Sequence, residues 1–181
     1  MLYNVFEDWR DRNCNMKKSI HGKFKRMLKI GFSVMYIITF VFICFFPIYI
    51  TSGCSMESTL EDKDVLISER MHGELKTGDV IIAMQDCGGD LKKVVKRVIA
   101  VPGDVLVISD NHVFVNGEML EEDYLFEQMY TEDLTIALPA EHYFVMGDNR
   151  NVSYDSREAG MLHSDAIISK VIFDLTKWSI I

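Results

Sequence analysis

Val94-Val95-Lys96-Arg97-Val98-Ile99-Ala100-Val101-Pro102-Gly103-Asp104 reads as a strand running into a tight turn. Four of its first six residues are β-branched, which suits a pleated, packed surface. Pro102 presets φ and Gly103 supplies a positive φ, so the pair fits the centre of a type II turn. Two adjacent cations interrupt the apolar run. On an exposed sheet edge such a pair guards against aggregation. Inside a sheet, burial would instead push Lys96 toward its neutral form, in which an amine can accept a proton. Arg97 cannot serve that way, because a guanidinium keeps its charge in proteins.

Outward from this stretch the chain is punctuated like an all-β protein. Strands are predicted at Asp64–Ser68, Asp79–Met84, Val105–Ser109, His112–Val115, Leu134–Leu138, Tyr143–Met146 and Ala166–Leu175. Thr77-Gly78-Asp79, Asp110-Asn111 and Asn116-Gly117 mark turns, and residues 86–90 a loop. The acid-rich residues 118–133 read as an exposed excursion. The fold class is therefore mainly β, in one domain over residues 51–181, with no internal repeat and no long linker.

Upstream lies a different kind of sequence. Ile30 to Ile50 is 21 residues without a charge, and at 1.5 Å per residue a helix of that length spans about 30 Å, the thickness of a bilayer core. Residues 1–29 carry eight Lys and Arg against three acids. A basic flank on that side predicts a cytoplasmic N-terminus, a single transmembrane helix over 30–50 and an extracytoplasmic distal part. Two other readings compete with a permanent anchor. One is a soluble core helix, which would normally show a polar face. The other is lipoprotein processing at Thr51-Ser52-Gly53-Cys54, with Cys54 becoming the lipidated end.

Beyond residue 29 there remain 11 basic and 24 acidic residues, a net charge of −13, which argues against a nucleic-acid partner. The four cysteines form no CxxC or Cys/His metal spacing. Cys14 falls on the cytoplasmic side and Cys44 within the span, which leaves Cys54 and Cys87 as the one plausible external pair. His72, His112, His142 and His163 read as surface or turn residues. Neither a metal nor an organic cofactor is expected, and no feature sets an oligomeric state.

Three blocks carry chemistry. Gly53-Cys54-Ser55-Met56-Glu57-Ser58-Thr59-Leu60 follows the apolar span, Lys96 stands 41 residues after Ser55, and residues 147–157 read Gly-Asp-Asn-Arg-Asn-Val-Ser-Tyr-Asp-Ser-Arg. Together, in this order, they resemble the type I signal peptidases. The first block is similar to that family's G-x-S-M-x-P-T-L, with Ser58 in place of Pro. The second is similar to V-K-R-V-I-G-x-P-G-D, with Ala100 in place of a frequent Gly. The third matches G-D-N-R-x-x-S-x-D-S-R at all eight specified positions. Downstream, only Gly160 is kept from a usual aromatic-Gly-Pro continuation. The resemblance covers roughly residues 30–175.

The resemblance implies a β catalytic domain on one membrane helix, and a serine endopeptidase that removes signal peptides from exported preproteins at the lipid bilayer. It makes Ser55 the nucleophile, with its own N–H in the oxyanion site, and Lys96 the general base. Ser153 orients the Lys96 amine, Asp155 and Arg157 form a supporting ion pair, and Asp148 and Arg150 brace the same loop. Met56, Thr51, Ser52, Val94 and Val95 line the pocket for the substrate residue before the cut. Some relatives carry a second oxyanion hydroxyl two residues before the nucleophile, where this chain has Gly53. Restoring proline at position 58 is expected to be tolerated if the local φ is near −65°. Rival readings are a non-enzymatic member of the same fold, a self-cleaving repressor with a Ser/Lys pair, and an anchored β binding module. Both reacting residues are present, and no DNA-binding region accompanies them.

Overall fold

The computed structural model describes residues 2–71 and 73–181, with side chains from Lys23 onward. His72 and the side chain of Cys14 lie outside the described residues. The chain divides into two compact units between Cys44 and Phe45.

The first unit consists of the helix α1, Leu2–Phe45, whose last residue already belongs to the second unit. Its stretch Lys23–Phe45 is long and apolar enough to cross a membrane. Every side chain in that stretch is exposed, so no protein core accounts for its Phe, Ile and Val content. The helix stops before the end of the apolar run. Pro47 cannot donate to an earlier carbonyl and disfavours helical φ/ψ at Phe46. Ile48–Ile50, expected in the helix, is instead strand β1. The unit boundary consequently falls after residue 44 rather than after residue 50.

The second unit is built almost wholly of antiparallel strands: β2 Val65–Glu69, β3 Val80–Asp86, β4 Leu91–Ala100, β5 Val105–Ser109, β6 His112–Val115, β7 Glu118–Met119, β8 Leu134–Ala137, β9 His142–Met146, β10 Leu162–His163, β11 Ile167–Asp174 and β12 Ser179–Ile180. A short α-helix, α2, spans Ser156–Ala159, and a 3-10 turn spans Ser164–Ala166. The larger sheet has the order β1-β2-β11-β3-β4-β9-β10, with β12 beside β11, and the smaller has β7-β6-β5-β8.

β3 is central and buried on both faces. Val80 and Ile82 join Met56, Leu60, Leu66 and Val171 in one cluster, whereas Ile81 and Ala83 join Leu75, Val98, Val145 and Leu162 in another. Alternation along a strand makes these opposite faces of one sheet. A third cluster binds the sheets together through Ile99, Leu106, Ile108, Met129 and Phe144. The link from β4 to β5 is the expected turn: Asp104 N–H donates to Val101 O at 3.1 Å, with Gly103 at φ 94°. At the β5–β6 hairpin Asp110 and Asn111 both have positive φ (50° and 63°), the twist a two-residue connection requires.

Two expectations change. The acid-rich excursion is not simply solvated, because Met129 is fully buried in the third cluster and Glu122 is half-buried. In the turn after Ser55, Ser58 has φ 86°, a region that proline's ring cannot reach. Ser58→Pro should therefore destabilise the protein by about 2 kcal/mol or more, against the sequence expectation. A denaturant melt that matched wild type would contradict this.

Candidate active site

The site is assembled where β9 stops pairing with β4. The β4–β9 register begins at Arg97 opposite Met146, and Leu91–Lys96 pair only with β3. The 147–157 block therefore leaves β9 beside an open stretch of β4. Lys96 and Arg97 pair with Ile81 and Val80 respectively, so their side chains leave on opposite faces. The one loop meets both of them.

On the face shared with Met56 and Leu60, Arg97 makes a two-pronged ion pair with Asp148. Nε donates to Oδ1 at 2.8 Å and Nη2 to Oδ2 at 2.6 Å. Its remaining donors reach Gly78 O at 2.8 Å and Thr59 Oγ1 at 3.0 Å, and Thr59 in turn donates to Asp148. Burial alone would lower the Arg97 pKa, but the hydrogen bond to Asp148 and its charge outweigh that and raise it. This pair fixes the turn after Ser55 to β4 and to the loop.

On the other face, Lys96 is only 3% exposed, and its Nζ donates to Ser153 Oγ at 2.8 Å. Burial lowers its pKa, and the more distant Asp155 only partly opposes this. Asp155 is already engaged. It takes both Nε and Nη2 of Arg157 at 2.9 Å and the Gly147 N–H at 3.0 Å. Arg157 also donates to Arg150 O at 2.6 Å, and buried Arg150 donates to Gly147 O at 3.0 Å and pairs with Glu122 at 2.5 Å. Asp148, Arg150, Ser153, Asp155 and Arg157 thus form one connected loop.

Ser55 is half-buried and tied to that loop by its carbonyl, which accepts the Asn149 N–H at 3.1 Å. A side chain at Gly147 would collide with the Ser55 carbonyl oxygen and with Ser153 Oγ, and would lie 2.6 Å from Ser153 Cβ. Gly147 is therefore the point where the Ser55 backbone and the Ser153 side chain pass closest. Lys96 Nζ bonds to Ser153 and not to Ser55 Oγ. Catalytic hydrogen bonds are often long without a substrate.

Ser55 also faces a cavity of about 170 Å³. Thr51, Ser52, Met56, Val94 and Val95, all expected there, line it, together with Tyr49, Ile50, Ile82 and Lys93, which sequence reasoning missed. The Lys93 ammonium lies 4.8 Å from the Tyr49 ring centre. Cys54 and Cys87 are both free thiols, so the pairing considered for them is not formed. Among the described residues no group of three or more His, Cys, Asp or Glu side chains is placed to hold a metal.

The sequence model of the signal peptidase, peptidase S26, family matches residues 24–176. The chain belongs to that family. Among its relatives, signal peptidase I T of Bacillus subtilis is 32% identical, over 90% of this chain and 93% of that one. Signal peptidase I of Bacillus licheniformis is 33% identical, over 81% and 83%. A crystal structure of a signal peptidase I from Enterococcus faecalis is 30% identical, covering 54% of this chain and 96% of that one with a TM-score of 0.48.

Sequence reasoning also missed the capping of α2. Asp155 caps its N-terminus and Glu158 returns a bond to the Asp155 N–H. The D-x-x-E spacing at 155–158 is a readable signal for that start.

Two outcomes follow from this geometry. Gly147→Ala should cost about 1–3 kcal/mol, the usual range for overpacking, in a denaturant melt; an unchanged midpoint would contradict the close approach. For Lys96 the folded pKa lies below the unfolded 10.5. Between those values the unfolded chain holds the extra proton, so stability rises with pH through that window. Lys96→Met should lack this rise and be the more stable protein near neutrality. A wild-type-minus-Met difference that stayed constant with pH would exclude it.

Proposed function

We propose that this family member is a membrane-bound serine endopeptidase that removes N-terminal signal peptides from exported preproteins, with Ser55 as nucleophile and Lys96 as general base. The observation that carries the reading is the burial of Lys96 with a neutral hydroxyl, Ser153, as its hydrogen-bond partner. An ammonium so placed loses its hydration without gaining a direct carboxylate contact, which favours the free amine.

The chemistry runs as follows. Lys96 takes the Ser55 hydroxyl proton as Oγ attacks the scissile carbonyl. Among the described residues no group accepts the Ser55 backbone N–H, which leaves it free to stabilise the oxyanion. The leaving amine takes the proton from Lys96, giving an acyl-enzyme. Lys96 then accepts a proton from water, whose oxygen attacks the ester, and Ser55 regains its hydrogen on release. Ser153 holds the amine in one orientation throughout.

The substrate class fits the cavity and its rim. The open edge of Leu91–Lys96 can take an extended segment as an added strand. A cavity of about 170 Å³ beside Ser55, with Met56, Ile82 and Val95 among mixed polar and apolar walls, admits small side chains beside the cut. The Lys23–Phe45 helix, taken as a single-pass anchor with a cytoplasmic N-terminus, restricts the enzyme to the membrane that holds its substrates. Covalent tethering of this kind raises effective concentration without a new contact.

Ser55→Ala should abolish preprotein cleavage by detergent-purified protein while leaving the fold intact. Lys96→Arg should fall to the level of Lys96→Ala, since Arg cannot supply a neutral base. Wild-type cleavage should rise with pH as Lys96 deprotonates. An active Arg variant, or cleavage by the Ala variant at the wild-type rate, would refute the assignment.

A further inference from the structure

We propose that residues 122–130 are a positioning strap, centred on Tyr124, that holds the three motif blocks of the site in register. The proposal rests on the peptidase reading above for its effect on catalysis. Its contacts with the blocks stand independently of that reading.

The strap touches every block. The Tyr124 ring covers the Arg97 guanidinium, 4.0 Å from its centre, and lies 5.9 Å from that of Arg150. Its hydroxyl donates to Glu122 at 3.0 Å, and Glu122 is the carboxylate paired with buried Arg150. The Tyr124 carbonyl accepts the Ser58 hydroxyl, three residues beyond Ser55. Phe126 N–H donates to Asp148 O at 3.4 Å. Asn151 completes the seam. Its amide donates to Glu127 and to Gln128 O at 2.9 Å, and its oxygen accepts Tyr130 N–H at 2.9 Å. Met129, 1% exposed, pins the segment to the core.

The charges explain why an acid-rich segment lies here. Arg97 and Arg150 are the buried cations of two of the blocks, and the strap brings Glu122 to one and an aromatic face to both. A planar guanidinium gains from such a face most when water is excluded. Burial, joined by the neighbouring Glu122, also raises the Tyr124 pKa, so its hydroxyl stays a donor at working pH. Arg97 is the chain neighbour of Lys96, and Asp148 opens the loop that ends on Ser153. Loosening the strap would admit water to the Arg97–Asp148 pair, shift the loop and weaken the Ser153–Lys96 contact. Lys96 would then be better solvated and would keep its proton to higher pH. Tyr124 touches no reacting atom, so its role is positional.

The test uses the full chain in detergent, with preprotein cleavage followed from mildly acidic to alkaline pH and amide exchange read over residues 147–153. Tyr124→Leu should lower kcat about tenfold with KM within about twofold, the signature of a lost transition-state interaction. Its acidic limb should move to higher pH, and exchange over 147–153 should speed up. Tyr124→Phe keeps the ring and should keep all three properties near wild type. Wild-type kcat and pH limb in the Leu variant would overturn the strap, as would equal losses in Leu and Phe or a loss confined to KM. Should the Leu variant fail to fold, Ser58→Ala removes a single strap bond. Faster exchange over 147–153 in that variant would support the proposal, and unchanged exchange would overturn it. If wild type cuts no preprotein, the peptidase reading fails, and the exchange data alone decide the strap.

Discussion

The site depends on the two-residue period of a β-strand. Because successive side chains leave a strand on opposite faces, adjacent Lys96 and Arg97 cannot be served from one side. The chain meets this with a single loop passing beside the part of β4 that β9 leaves unpaired. Asp148 reaches Arg97 on one face and Ser153 reaches Lys96 on the other. Gly147 allows the passage, since any side chain there would strike the Ser55 backbone and Ser153 together.

Within that arrangement the neighbouring cations take opposite fates. Arg97 is buried but held by four hydrogen bonds to Asp148, Thr59 and Gly78, two of them to the Asp148 carboxylate, and so remains charged at tolerable cost. Lys96 is buried with only a hydroxyl as partner, so its charged form is the one that burial penalises. An isolated buried ammonium is expensive, and proteins usually relieve it by neutralisation. The sequence puts a permanent cation and a switchable one side by side, and the partners supplied by the fold distinguish them.

Signal peptidase family membership and the geometry inform different statements. The match over residues 24–176 settles the family. The local arrangement bears on how this chain performs the proposed reaction, and there it departs from expectation at Ser58. Ser58 occupies a left-handed conformation that proline cannot adopt, and its hydroxyl is bonded to the acid-rich segment. The nucleophile turn of this chain is therefore shaped partly by a segment far away in sequence.

Much was legible in the residues because it is local. The period-2 runs, the Pro102-Gly103 turn and the Asp110-Asn111 hairpin each reflect a backbone preference of the residues themselves. The strands read from them formed within two residues of their predicted bounds except β4, which starts three residues earlier at Leu91, while the short strands β1, β7, β10 and β12 were not foreseen. The apolar run was also plain, though its helical part ends at Phe45 because Pro47 breaks the ladder. Thr51, Ser52, Met56, Val94 and Val95 were named from their places beside Ser55 and Lys96, and all five line the cavity. What remained hidden depends on contacts between distant parts of the chain. Tyr49 and Lys93 reach the cavity only because β1 pairs with β2 while β4 leaves an edge open. Tyr124 sits in an acidic stretch whose composition suggests solvent, and it is held by Arg97, Arg150 and Ser58, which lie 27, 26 and 66 residues away. Composition records the charge of a segment but not which buried cations it will cover, because that pairing is set by topology.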